Sequence, residues 1–181
     1  IVAGDSTGSS ADIALSRATE KAMWVGIAAF AAGNKVSDIG DAIDDHVSSE
    51  APELGLVEEF TGHGIGTAMH MPPEVLNYRA KSNGPKIKSG MCLAIEPMLT
   101  AGSSETITLA DDWTVVTEDG SRASHWEHSV AKHDGGVWVL TADDGGVAGL
   151  SRLGHSWLRR LLPPPELVGR EDVHDDEQRQ R

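Results

Sequence analysis

Only one cysteine, Cys92, occurs in the 181 residues, so no internal disulfide can form. That usage fits a reducing compartment, and the chain is expected in the cytoplasm. Nowhere do apolar residues run for the ~20 positions that a membrane-spanning helix needs. No basic-then-apolar leader opens the sequence. Positive charge is also short: 15 Lys and Arg stand against 28 Asp and Glu, a formal net charge of −13. This balance argues against nucleic acid or an anionic membrane as the main partner. A cationic ligand, such as a metal ion or an amino terminus, suits it. The first residues, "IVAGDSTGSS", have no initiator methionine and read like the end of a strand entering a loop, so the true beginning is expected upstream.

The pattern that follows is α+β. From Asp12 to Ala32, Leu15, Ala18, Ala22, Val25 and Ala29 recur at three- and four-residue steps, which predicts a helix despite Gly26. Gly33-Asn34 should stop it. Ser37 is expected to cap a second helix over "SDIGDAIDDHV", with Asp38 favourable in its first turn. Beyond Tyr78, "MCLAIEPML", "ETITLA", "WTVVTED", "ASHWEHSVAK" and "VWVLTA" are short and β-rich. Two helices followed by several strands read as α+β. Residues 143–181 carry a proline triplet and a terminal charge run, and are expected to be a mostly disordered tail, with one short amphipathic helix in "LSRLGHSWLRRLL".

Candidate chemistry lies in three segments. In "TGHGIGTAMH", His63 sits among Gly62, Gly64 and Gly66, with His70 seven residues on. Glycines permit positive φ or close approach of other backbone. Their spacing excludes a dinucleotide loop, and no Gly-Lys-Ser/Thr follows to make a P-loop. Glu96, in "LAIEPM", is held extended by Pro97 and flanked by apolar residues, so its carboxylate should be buried and need a cation or strong donors. Glu127 lies in "SHWEHSVAK"; on a continuous strand His125 would share its face while His128 would turn away into the core. His133 is expected in a turn, exposed. One histidine and two glutamates form a hard-to-borderline metal set. A His-Glu-x-x-His zinc site and a serine elbow are both absent, and Cys92 reads as a small core residue.

Together "FTGHGIGTAMHMPPEVLNY", "LAIEPMLT", "DDWTVVTEDGSRASHWEHSVA" and "VLTA" resemble type I methionine aminopeptidases of a bacterial, actinobacterial kind, over roughly residues 10–141. The resemblance implies the pita-bread fold, a curved antiparallel sheet backed by helices, and removal of the N-terminal methionine from nascent proteins through a metal-activated hydroxide. It implies His63, Glu96 and Glu127 as metal ligands, Glu96 also as proton shuttle, and His70 as the group contacting the scissile peptide. Met69 and Trp113 would line the methionine pocket. The implied cofactor is two divalent ions, of cobalt, manganese, iron or zinc; the implied partner is a peptide or nascent-protein amino terminus.

The sequence departs from that family upstream. Two aspartate ligands and a further histidine find no counterpart here, and Asp5, in a Ser/Gly loop, is not given such a role. Residues 1–142 are therefore expected to be a partial pita-bread domain, inactive alone and with apolar faces uncovered. A proline-cleaving pita-bread peptidase and a non-catalytic pita-bread binding protein remain the alternatives.

Overall fold

The computed structural model describes residues 8–81 and 84–154. Two helices come first, α1 (Ser10–Ala32) and α2 (Ser37–Glu50). Ten short strands follow among the described residues: β1 (Gly55–Leu56), β2 (Gly62–Gly64), β3 (Met71–Val75), β4 (Cys92–Ile95), β5 (Met98–Thr100), β6 (Thr106–Thr108), β7 (Val115–Thr117), β8 (Ala123–His125), β9 (His128–His133) and β10 (Gly136–Val139). A short helix, α3 (Val147–Ser151), ends the described chain.

The start of α1 is set by a capping box. Ser9 Oγ accepts from the Asp12 amide, and the Asp12 carboxylate accepts from the Ser9 amide. Gly33 stops the helix as expected. At α2 the cap differs from expectation: Ser37 is the first helical residue, Val36 is the cap, and no side chain caps it directly. Asp38 acts instead, its Oδ2 accepting from the Asn34 and Lys35 amides at 2.7 and 3.0 Å. A carboxylate in the first turn thus folds back on the preceding loop.

The strands form an antiparallel five-stranded sheet, β10-β9-β4-β2-β3, a three-stranded sheet, β1-β5-β8, and the hairpin β6-β7. Prolines 72 and 73 lie on β3, at an edge of the larger sheet, where a missing donor costs least. The core joins Met23, Ile27 and Phe30 of α1 to Ile39, Ile43 and Val47 of α2, and to Leu93, Ile95, Val130 and Val139 from the sheet. Gly26 is the contact point. A Cβ there would lie 2.8 Å from Ile43 Cδ1 and 3.1 Å from Ile95 Cγ2, so glycine lets α1 approach α2 and β4 together.

Residues 143–154, expected in the tail, are folded. Asp144 accepts from the Gly146 and Ala148 amides and opens α3, and Leu150 is fully buried against the core. A Cβ at Gly149 would lie within 2.5 Å of the Trp24 ring, so the glycines that suggest a loose tail permit flat packing on an indole. Of the short amphipathic helix expected over "LSRLGHSWLRRLL", Leu150 and Ser151 are the end of α3 and residues 152–154 leave it in a turn; residues 155–162 and the rest of the tail lie outside the described residues. No described helix is long and apolar enough to cross a membrane.

Candidate metal centre

Each candidate side chain is placed by backbone geometry. His63 is the middle residue of β2, between β4 and β3, and so sits on a strand rather than in a loop. Its glycine neighbours have no positive φ. They serve close approach: a Cβ at Gly62 would meet the Ala94 carbonyl oxygen at 2.3 Å, and one at Gly64 the Pro72 carbonyl oxygen at 2.3 Å. Those contacts are with backbone, which cannot swing aside. Gly64→Ala is therefore expected to destabilise the fold by about 1–3 kcal/mol, the usual cost of overpacking. Denaturant unfolding measures this, and an unchanged midpoint would show that β2 and β3 part freely.

Glu96 and Glu127 lie where the chain changes sheets. Strand β4 belongs to the five-stranded sheet and β5 to the three-stranded one, with only Glu96-Pro97 between them. Opposite, β8 and β9 make the same change across Trp126-Glu127. The pairs Ile95 with His128 and Met98 with His125 bracket the break, and the Trp126 amide donates to the Pro97 carbonyl within it. Both carboxylates thus emerge at one level, freed from the strict alternation of a continuous strand.

The result is a compact donor group. One ligand atom from each of His63, Glu96 and Glu127 lies within 4.8 Å of the others. His63 Nε2 is 3.4 Å from Glu96 Oε1, and the two side chains are 14% and 13% exposed. Glu127 is at the exposed side. On the other side of His63, Nδ1 is 3.0 Å from the Gly64 carbonyl oxygen. A carbonyl only accepts, so Nδ1 carries the proton, and in the neutral ring Nε2 presents a lone pair. That lone pair faces a carboxylate oxygen, an arrangement a cation between them would satisfy. An imidazole and two carboxylates therefore fit a divalent metal ion.

Nearby groups fall into place around it. The His70 ring meets the His63 ring edge-on, centroids 4.3 Å apart, and is exposed. His125 Nε2 lies 3.3 Å from Glu96 Oε2. Met69 and Trp113, expected to line a pocket, are instead 70% and 86% exposed, Met69 on the bend before β3 and Trp113 on the turn between β6 and β7. His128 packs on Trp24, with Nδ1 2.7 Å from Thr141 Oγ1, and its burial pushes the imidazole pKa down, as suits a core histidine. Burial likewise raises the Cys92 thiol and disfavours a reactive thiolate. His133 is the end of β9 and half-buried rather than simply exposed; its Nδ1 accepts from the Gly135 amide. Asp5 lies outside the described residues.

One supporting residue escapes a reading of the sequence. Asn77 is fully buried, and its Nδ2 donates to the carbonyl oxygens of Phe60 and Glu96, tying the segments before β2 and after β4 together. The signal was an amide within "PEVLNY", where a merely exposed polar residue reads the same way.

Residues 2–132 match the family model of metallopeptidase family M24, and the chain belongs to that family. Within it, the sequence is similar to methionine aminopeptidase 1 of Mycobacterium tuberculosis, with 48% identity over 74% of this chain and 52% of the relative. It is also similar to methionine aminopeptidase 1 of Bacillus subtilis, with 41% identity over 72% of this chain and 52% of the relative. The fold resembles the crystal structure of methionine aminopeptidase from Rickettsia prowazekii, with a TM-score of 0.66 and 35% identity over 73% of this chain and 53% of that one. The architecture is accordingly the pita-bread fold, and the resemblance read from the motifs is to the right branch of the family. The chain spans about half the length of the curated relatives it matches.

Proposed function

We propose that this site serves a metal-dependent aminopeptidase that removes the N-terminal methionine from peptides and nascent proteins in the cytoplasm. The observation that carries it is the meeting of His63, Glu96 and Glu127 within 4.8 Å, with His70 edge-on beside them. Membership of a metallopeptidase family implies divalent metal use. His63 Nε2 and the two carboxylates would hold the metal. The working cofactor is proposed as a pair of ions of the manganese, iron, cobalt or zinc class. When bound, such ions lower the pKa of water and polarise a scissile carbonyl.

The chain's own residues do the rest. Glu96, largely shielded from solvent, receives the proton of the attacking water on a carboxylate oxygen and returns it to the leaving amine. His70, open to solvent, donates an imidazole N–H to the charge that develops on the substrate carbonyl. Met69 and Trp113 offer exposed apolar surface to the methionine side chain. The acidic surface favours an incoming amino terminus, which is cationic.

The test is release of methionine from a Met-Ala-Ser peptide by the full-length product of the gene. Exhaustive chelation should abolish release, and returned Mn²⁺ or Co²⁺ should restore it. Activity that survives metal removal would overturn the mechanism. Cleavage of Ala-Pro without cleavage of Met-Ala-Ser would move the site to a proline-cleaving peptidase.

A further inference from the structure

His125 has no part in the scheme above, yet it is placed against the most buried carboxylate of the site. The last residue of β8, it pairs across the sheet with Met98, two positions beyond Glu96. Its Nε2 lies 3.3 Å from Glu96 Oε2, while Oε1 of the same carboxylate faces His63 Nε2 at 3.4 Å. Each oxygen of Glu96 therefore has one imidazole nitrogen beside it.

The two imidazoles cannot play the same part. His63 commits its Nδ1 proton to the Gly64 carbonyl, so its Nε2 is left as a donor atom for a cation. His125 lies outside the group of ligand atoms that come within 4.8 Å of one another. Its side chain is 43% exposed, and its Nε2 faces a carboxylate that can only accept when ionised. An Nε2–H directed at Oε2 satisfies that oxygen and turns Oε1 toward His63. We infer that His125 is a positioning residue: it holds Oε2 of Glu96 so that Oε1 stays aimed at the metal position shared with His63 and Glu127. Sheet register supplies the placement, because the β5-β8 pairing carries His125 to the break where Glu96 leaves the strand.

The inference rests on the metal reading of His63, Glu96 and Glu127, and the experiment separates the two. Mn²⁺ binding to the full-length product of the gene is measured by calorimetry for the wild type, His63→Ala, His125→Ala and His125→Gln. Losing a group that orients a metal ligand typically costs about 10–100-fold in metal affinity. His125→Ala should weaken binding by about that factor, and His125→Gln, which keeps an N–H donor, should recover most of it. Thermal unfolding of His125→Ala should stay near the wild type, since the side chain is half in solvent. The Co²⁺ visible spectrum should keep its wild-type form in His125→Ala and change in His63→Ala, because only the latter removes a ligand.

Unchanged Mn²⁺ affinity in His125→Ala would overturn the positioning role while leaving the metal reading intact. So would a failure of His125→Gln to recover binding, or a cobalt spectrum altered as in His63→Ala, which would make His125 a ligand. A full-length wild-type protein that binds no Mn²⁺ would overturn both.

Discussion

Glu96→Gln is expected to lower methionine release by about 10²–10⁴-fold, the range associated with loss of a general acid–base group. Glutamine keeps the shape of glutamate, so the effect isolates charge and basicity. The side chain is 13% exposed and its oxygens face His63 Nε2 and His125 Nε2 at 3.4 and 3.3 Å. Without the negative charge, metal affinity falls as well, since an amide oxygen is a weaker ligand than a carboxylate. Stability should move the other way or not at all. A glutamine amide N–H can donate to the bare Nε2 of His63 and relieve the facing pair of acceptors. The expected signature is a catalytic collapse with an unchanged or raised melting temperature, read from peptide hydrolysis, calorimetry and thermal unfolding. Turnover within a few-fold of wild type would remove Glu96 from both of its proposed roles.

His70→Ala should lower kcat by about 10²–10³-fold, as for removal of one donor to a developing oxyanion, with little change in KM. His70 differs from Glu96 in lying outside the ligand group. Its ring touches His63 edge-on at a centroid separation of 4.3 Å and is otherwise open to solvent. Metal content, measured on the same protein, should therefore stay close to wild type. Equal loss of metal and of turnover would show that His70 acts by holding His63 in place, and its proposed contact with the substrate would be wrong.

Much of the fold was legible because its signals are local. The stripe from Leu15 to Ala29 marks α1, and Gly33-Asn34 marks its end; both follow from helical periodicity and backbone freedom. Strand segments were legible as segments, but their division was not. "MCLAIEPML" and "ASHWEHSVAK" each read as one strand, whereas each spans two sheets with a break at its glutamate. Strand alternation still placed His125 on the side of the site, although the break and the β5-β8 register are the actual cause. Residues 143–154 read as a tail because composition carries no information about a packing partner. The glycines of this segment suggest a free tail until Trp138 is seen lying against Gly145 and Trp24 against Gly149.

The candidate site divides in the same way. His63, Glu96 and Glu127 stood out by residue type and by their glycine, proline and apolar surroundings, and the family likeness joined them. Which neighbours assist them was not legible. Asn77 is an ordinary polar residue in the sequence and a buried brace in the fold. Met69 and Trp113 look like pocket residues in the motif and stand exposed in the structure.

The sequence by itself determined the class of chain, the helices and the chemical nature of the donor set, because periodicity, caps and functional groups are properties of neighbours along the backbone. Only the tertiary structure decided that the donors meet. That depends on pairings such as Gly64 with Leu93, Ile95 with His128 and Met98 with His125, between residues far apart in the chain. A slip of one residue in any of them would turn the side chains to the opposite face of the sheet. It is the packing of the sheet against α1 and α2 that holds the register.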